Sequence, residues 1–414
     1  MPFINKSQGI LILAALGVFL QVAGANWDIT LHLTRPGERE GNRLLVDAET
    51  FFSSSHIFLY TGVVLTTIAA LSSGVMLVTY YYNDNNNRGK KSLRYTKPLL
   101  PSYTTAFKLL VLGCGLQLIA GPFDLWWHGA IGLDGLLSPP HLLLIVGMFV
   151  NSIAACLGLT RITRLIAPTS SFCLSLTAST TKSRKLSKLI VTIRNTKVIK
   201  AALVLAFAAL WLSATWLVYA FVLPLSQGQR FNFNMDPTIA AIISIIVLPL
   251  VSSIVFVTAS RIIGSIKGRF GGASAVAFLV IATNVFANII SYKQLMPIIP
   301  WYLLVLITAV IVSDILLNKS RINARDSIAY SLNTITKRVE LIMVGAIIGS
   351  IFYLFNFPML SLTFAVTFGI PIPMIIAAEM ANFLNTFYIV LSITLLPGIM
   401  MGIIGTCIIS NKIK

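Results

Sequence analysis

The sequence predicts an all-α protein, a polytopic bundle of about ten transmembrane helices. Hydrophobic residues make up 56% of the 414 residues, charged residues only 11%, and the mean hydropathy is +0.86. Soluble domains carry about 25% charged residues, so the composition excludes a soluble globular fold. A helix needs about 20 apolar residues to cross a hydrocarbon core of about 30 Å. Runs of that length recur along the chain, and each one predicts a transmembrane helix.

Ten segments are long and apolar enough to be predicted as spans. They are residues 8–28, 52–81, 104–125, 139–165, 200–223, 237–260, 271–291, 299–318, 339–357 and 385–408. Another apolar stretch, residues 358–381, is interrupted by prolines, which break a helix. We expect it to be a re-entrant segment or a further span.

Basic residues are distributed unevenly among the connecting loops. Of the 31 Lys and Arg residues, one set of alternate loops holds only Arg35, Arg39, Arg43, Arg230 and Lys293. The positive-inside rule therefore predicts an integral cell-membrane protein with both termini in the cytoplasm. The net charge of +18 then reflects the basic cytoplasmic loops that set the orientation of the chain in the membrane. The lipid bilayer, rather than a nucleic acid, is the expected partner.

The longest polar interruption predicts the division of the chain into regions. Residues 166–199 are rich in Ser and Thr and then in Lys and Arg. We interpret them as a basic cytoplasmic linker. It would separate a four-span region, residues 1–165, from a six-span membrane domain, residues 200–414.

A tandem helix-pair repeat is predicted in the N-terminal half. Each copy contains a Gln, an Asp seven residues later and a His four residues after that, and then an acid, a Ser, a second His and a Gly. The first copy consists of Gln21, Asp28, His32, Glu49, Ser53, His56 and Gly62, and the second of Gln117, Asp124, His128, Asp134, Ser138, His141 and Gly147. All four His residues of the protein belong to these copies, which are predicted to lie at the outer membrane face.

Each copy provides two imidazoles and a carboxylate in a pattern typical of a metal site. Asp and His at i,i+4 share one helix face, and the Ser before the second His is predicted to cap the next helix. Such a ligand set suits Cu, Zn or non-haem Fe. The candidate ligands are Asp124, His128 and His141 in the second copy and Asp28, His32 and His56 in the first. Supporting roles around them are expected for Asp134, Glu49 and Trp127.

The second copy, DLWWHGAIGLDGLLSPPH, resembles the copper motif of the C subunit of the copper membrane monooxygenases, the particulate methane and ammonia monooxygenases. The family pattern D-x3-H-x12-H, with Trp before the first His and Pro before the second, is matched over about 18 residues. This resemblance implies copper held by Asp124, His128 and His141, further membrane subunits, and oxidation of a small substrate with O₂. The first copy departs from the pattern, since Ser54 and Ser55 replace the two prolines.

Other functions remain open from the residues alone, and so does the question of whether the chain is an enzyme. His56 and His141 could be axial ligands of haem in a respiratory or electron-transfer subunit. A metal transporter could use Asp314 and Glu379 along its pathway. The chain could also be a structural subunit of a membrane complex.

Overall fold

The structure is a computed structural model that describes ten segments of the chain. They are residues 2–34, 53–86, 100–131, 138–166, 196–222, 237–265, 271–291, 314–317, 339–350 and 395–408. These segments are helical almost throughout, and no strand occurs in them. The all-α prediction is therefore confirmed for the described part of the chain.

Nine helices of ten residues or more carry the described architecture. They are α1 (Pro2–Thr34), α2 (Ser54–Asn86), α3 (Leu100–Ala130), α4 (Pro139–Ile166), α5 (Thr196–Val222), α6 (Pro237–Ser265), α7 (Gly272–Ser291), α8 (Val339–Ser350) and α9 (Leu395–Ile408). Helices α1 to α6 each contain a segment long and apolar enough to cross a bilayer. The apolar segments of α7, α8 and α9 are shorter. The predicted span 299–318 is described only at residues 314–317, and residues 358–381 lie outside the described segments.

Several helices extend beyond the apolar runs that predicted them. Helix α1 has 33 residues, whereas the predicted span covered 8–28. At 1.5 Å per residue it is about 50 Å long, which exceeds a hydrocarbon core of about 30 Å. Backbone hydrogen bonding continues the helix past the apolar run, where hydropathy no longer marks it. The helix therefore continues beyond Asp28, as far as Thr34.

Helix α1 lies at the centre of the described bundle. It packs against α2, α4, α5 and α7, while α3 packs chiefly against α4. Fully buried side chains from five helices, α1, α3, α4, α5 and α6, meet in one apolar core, among them Leu11, Phe107, Leu159, Leu203 and Phe256. This core fixes the relative positions of the helices whose ends carry the predicted site residues.

Glycines permit two very close helix crossings, α1 with α2 and α3 with α4. A Cβ added to Gly24 would lie 2.5 Å from the backbone nitrogen of Leu59 in α2. One added to Gly113 of α3 would lie 2.9 Å from the carbonyl oxygen of Gly147 in α4. Small residues allow helix backbones in membranes to approach and gain dispersion contacts. Each crossing thus holds the end of one helix beside the start of the next.

A chain of buried polar side chains joins the two crossings. Gln21 Nε2 donates to Thr66 Oγ1 at 2.8 Å, and Gln117 Nε2 donates to Gln21 Oε1 at 2.7 Å. Asn151 Nδ2 completes the chain by donating to Gln117 Oε1 at 3.1 Å. All four side chains are at least nine-tenths buried. Each amide partner satisfies a polar group that would otherwise be costly to bury, so the chain fixes α1–α2 against α3–α4.

Candidate metal centre

The end of α3 places two predicted ligands one turn apart. Asp124 and His128 are at i,i+4, and His128 Nε2 lies 3.3 Å from Asp124 Oδ1. The prediction that this pair shares a helix face is confirmed. Pro122 lies inside the helix just before the pair and removes one backbone hydrogen bond there.

The start of α4 adds the third predicted ligand. Ser138 is the N-cap, since Leu142 N donates to its carbonyl oxygen at 2.9 Å and His141 N approaches its Oγ at 3.4 Å. His141 thereby lies in the first helical turn, as predicted, with its Nε2 3.3 Å from Asp124 Oδ1. Its ring centroid is 5.9 Å from that of His128, at an interplanar angle of 57°.

The donor atoms of Asp124, His128 and His141 all lie within 4.8 Å of one another. Metal–nitrogen and metal–oxygen bonds of about 2.0–2.1 Å put neighbouring ligands of a tetrahedral centre about 3.3 Å apart. That is the distance from Asp124 Oδ1 to each imidazole nitrogen. The three side chains are between one-quarter and one-third exposed, so an ion could reach them from solvent.

The Asp124 carboxylate provides a further test of whether these three side chains suit a bound metal ion. Its Oδ1 atom is buried, and it accepts no hydrogen bond from any residue in the described segments. A buried anionic oxygen without a donor is costly, and a cation bound between it and the imidazoles would remove that cost. The residues present therefore fit a divalent transition metal.

The first copy is arranged differently. Asp28 Oδ1 lies 3.2 Å from His56 Nε2, so two of its predicted ligands meet. The same oxygen accepts a 2.8 Å hydrogen bond from Ser55 Oγ. Tyr60, one turn further along α2, stacks on the His56 ring with centroids 5.7 Å apart. The backbone of His32 belongs to α1, but its side chain lies outside the described part of the structure.

The residues expected to support the ligands are only partly described. Glu49 and Asp134 lie outside the described segments. Trp127 lies within α3, between Asp124 and His128, and packs edge-on against Phe123, with ring centroids 5.9 Å apart. This contact places Trp127 within an aromatic group at the end of α3 that also includes Trp126.

Contacts from α5 and α7 reach the first copy, and the sequence did not predict them. Trp216 of α5 donates from Nε1 to Asn26 Oδ1 at 2.9 Å. Phe286 of α7 packs edge-on against Trp27, with ring centroids 5.4 Å apart. Both contacts are made within two residues of Asp28. The later helices therefore support the end of α1 that carries this carboxylate.

Asp314, considered for a transport pathway, caps the start of α7. Its carboxylate accepts hydrogen bonds from Ala273 N at 3.2 Å, Ser274 N at 2.8 Å and Ser274 Oγ at 2.5 Å. The side chain is fully buried. A carboxylate at a helix N-terminus satisfies unpaired N–H groups and complements the helix dipole. Glu379, its proposed companion, lies outside the described segments.

Replacing Asp314 with alanine is expected to lower the free energy of unfolding by about 1–2 kcal/mol, because the first N–H groups of α7 lose their buried acceptor. The measurement is the midpoint of thermal unfolding of the detergent-solubilised protein, followed by circular dichroism. Asp314→Asn, which keeps one acceptor oxygen, should lose less. An alanine variant as stable as wild type would contradict the capping role.

No family model, curated protein or solved structure matches this chain. What the cluster does must therefore follow from its own chemistry. Two imidazoles and one carboxylate, converging where two helices meet, are a group that could hold a transition-metal ion.

Proposed function

We propose that this protein is an integral membrane protein that binds copper through Asp124, His128 and His141. The observation that carries the proposal is the convergence of both imidazole Nε2 atoms, each at 3.3 Å, on one buried carboxylate oxygen. Zinc and non-haem iron use similar ligands. Copper is preferred because the D-x3-H-x12-H segment is similar to the C subunit of the copper membrane monooxygenases.

The proposed membrane arrangement has ten spans, cytoplasmic termini and the metal centre at the outer face. Six apolar helices and the uneven loop charge support it. The proposed tandem repeat is supported by equivalent contacts: Gln21 and Gln117 each bond to a polar residue of the following helix, Thr66 and Asn151 respectively. In this arrangement the second ligand set would be Asp28, His32 and His56.

The proposed activity is oxidation of a small substrate with O₂ at the outer membrane face, as one subunit of a complex. Copper bound at the site would supply the redox chemistry towards O₂. The residues of this chain would hold the ion: Asp124 with its negative charge, and His128 and His141 as neutral donors. Small apolar substrates would reach the site from the bilayer in which they dissolve.

Elemental analysis of the purified protein tests the metal site. We expect the wild type to retain copper and His141→Ala to lose the copper held at the second copy, because one of three ligands is lost. His56→Ala, a matched change in the other copy, should keep the copper held at the second copy. An absorption spectrum of the same samples tests haem, which would give a Soret band.

Two outcomes would contradict the proposal. Equal copper content in the wild type, His141→Ala and His56→Ala would exclude a metal site at these histidines. A Soret band that disappears in both variants would instead favour haem held by His56 and His141.

A further inference from the structure

The two motif copies differ at the residue immediately before their second histidine. This residue is Ser55 in the first copy and Pro140 in the second. Both occupy the second position of a helix, after the N-caps Ser53 and Ser138. The capping distances are the same, 3.4 Å from the His56 or His141 nitrogen to the cap Oγ. The copies therefore share a backbone arrangement here and differ in the side chain.

Ser55 provides a hydrogen-bond donor to Asp28, the carboxylate of its own copy. Its hydroxyl is fully buried and donates to Asp28 Oδ1 at 2.8 Å, the oxygen that also faces His56. Ser53 Oγ lies 3.0 Å from Ser55 Oγ and extends this polar group. A hydrogen bond to a charged oxygen stabilises it without a metal ion. A metal ion that approached Asp28 Oδ1 would compete with a donor already in place.

Pro140 leaves the second carboxylate without such a donor. Proline has neither a hydroxyl nor a backbone N–H, and Asp124 Oδ1 accepts no hydrogen bond from the described residues. A metal ion at Asp124 would therefore displace no protein donor from Oδ1. A proline at position 140 destabilises the helix little, because the first N–H groups of a helix have no partner within it.

We propose that the residue at this position sets the metal affinity of each copy, and that Pro140 makes the second copy the tighter site. The proposal rests on the proposed function, since it assumes that the second copy binds metal. A charge-assisted hydrogen bond of ordinary strength corresponds to about 10- to 100-fold in affinity. We expect the second copy to bind Cu²⁺ more tightly than the first by about this factor.

The test changes each of the two residues separately in the 414-residue chain. Purified wild type, Ser55→Ala and Pro140→Ser are stripped of metal in detergent and titrated with Cu²⁺ by equilibrium dialysis against a competing chelator. Ser55→Ala should tighten the weaker site by about 10-fold or more, since the competing donor is gone. Pro140→Ser should weaken the tighter site by a similar factor. Ser54→Ala, at the exposed neighbouring position, is the matched control and should change neither constant.

His141→Ala separates failure of this proposal from failure of the metal site itself. If His141→Ala removes the tight site while Ser55→Ala and Pro140→Ser leave both constants unchanged, position 55/140 does not set affinity and the proposal is overturned. Weaker binding in Ser55→Ala would also overturn it, because Ser55 would then support the ion. If His141→Ala removes no Cu²⁺, the proposed function fails and this proposal fails with it. Circular dichroism of each variant identifies any that does not fold, and Ser55→Ala alone decides if Pro140→Ser does not.

Discussion

Replacing Asp124 with asparagine is expected to weaken Cu²⁺ binding by at least about 100-fold. This exceeds the loss of metal affinity that follows when a residue that only supports a ligand is removed. Asparagine keeps the size of the side chain but removes its negative charge. The charge matters because Oδ1 is the atom on which His128 and His141 both converge. Equilibrium dialysis of the metal-stripped variant against Cu²⁺ measures the change.

The matched control for this variant is Asp28→Asn in the first copy. Its carboxylate also faces an imidazole, at 3.2 Å, but it accepts a hydrogen bond from Ser55 as well. We expect Asp28→Asn to leave the tight Cu²⁺ site intact. Loss of tight binding in Asp28→Asn but not in Asp124→Asn would place the main site in the first copy and contradict our assignment.

Replacing Gly113 with leucine is expected to lower the free energy of unfolding by about 3 kcal/mol, at the upper end of ordinary overpacking costs. A Cβ at this position would lie 2.7 Å from Asn151 Cγ and 2.9 Å from the carbonyl oxygen of Gly147. Asn151 cannot turn away without breaking its bond to Gln117. Helix α4 must therefore move, and the polar chain between the helix pairs is disturbed.

Gly115→Leu is the matched control, because it lies two residues further along α3 and a Cβ there meets no atom within 4 Å. We expect its stability to stay within about 1 kcal/mol of wild type, since leucine is also the better helix former. Thermal unfolding in detergent, followed by circular dichroism, compares the two variants. Equal destabilisation would show that α3 and α4 do not cross closely at Gly113.

The features that the sequence predicted correctly depend on local spacing or on composition. The apolar runs identified α1 to α6, and the i,i+4 interval placed His128 beside Asp124. The serine before two prolines marked the start of α4, which placed His141 in its first turn. Helix geometry alone fixes these relations, so one sequence suffices to derive them.

The features that the sequence did not predict depend on tertiary packing. Trp216 and Asn26 are 190 residues apart, and no local pattern relates them. The repeat marks Gln21 and Gln117 as equivalent positions, but it does not show that the two side chains bond to each other. Ser55 differs from the proline of the second copy in the sequence, but its bond to Asp28 depends on how α1 crosses α2. Such contacts follow from the relative placement of whole helices, which hydropathy does not encode.

The ligands of the candidate centre come from two helices, with Asp124 and His128 on α3 and His141 on α4. An ion held by all three would cross-link these helices, and its binding free energy would add to the stability of the folded state. At a free metal concentration about 100 times the dissociation constant, this linkage amounts to about 2.7 kcal/mol. The steady-state abundance of the folded protein in its membrane would then rise and fall with the metal supply of the cell.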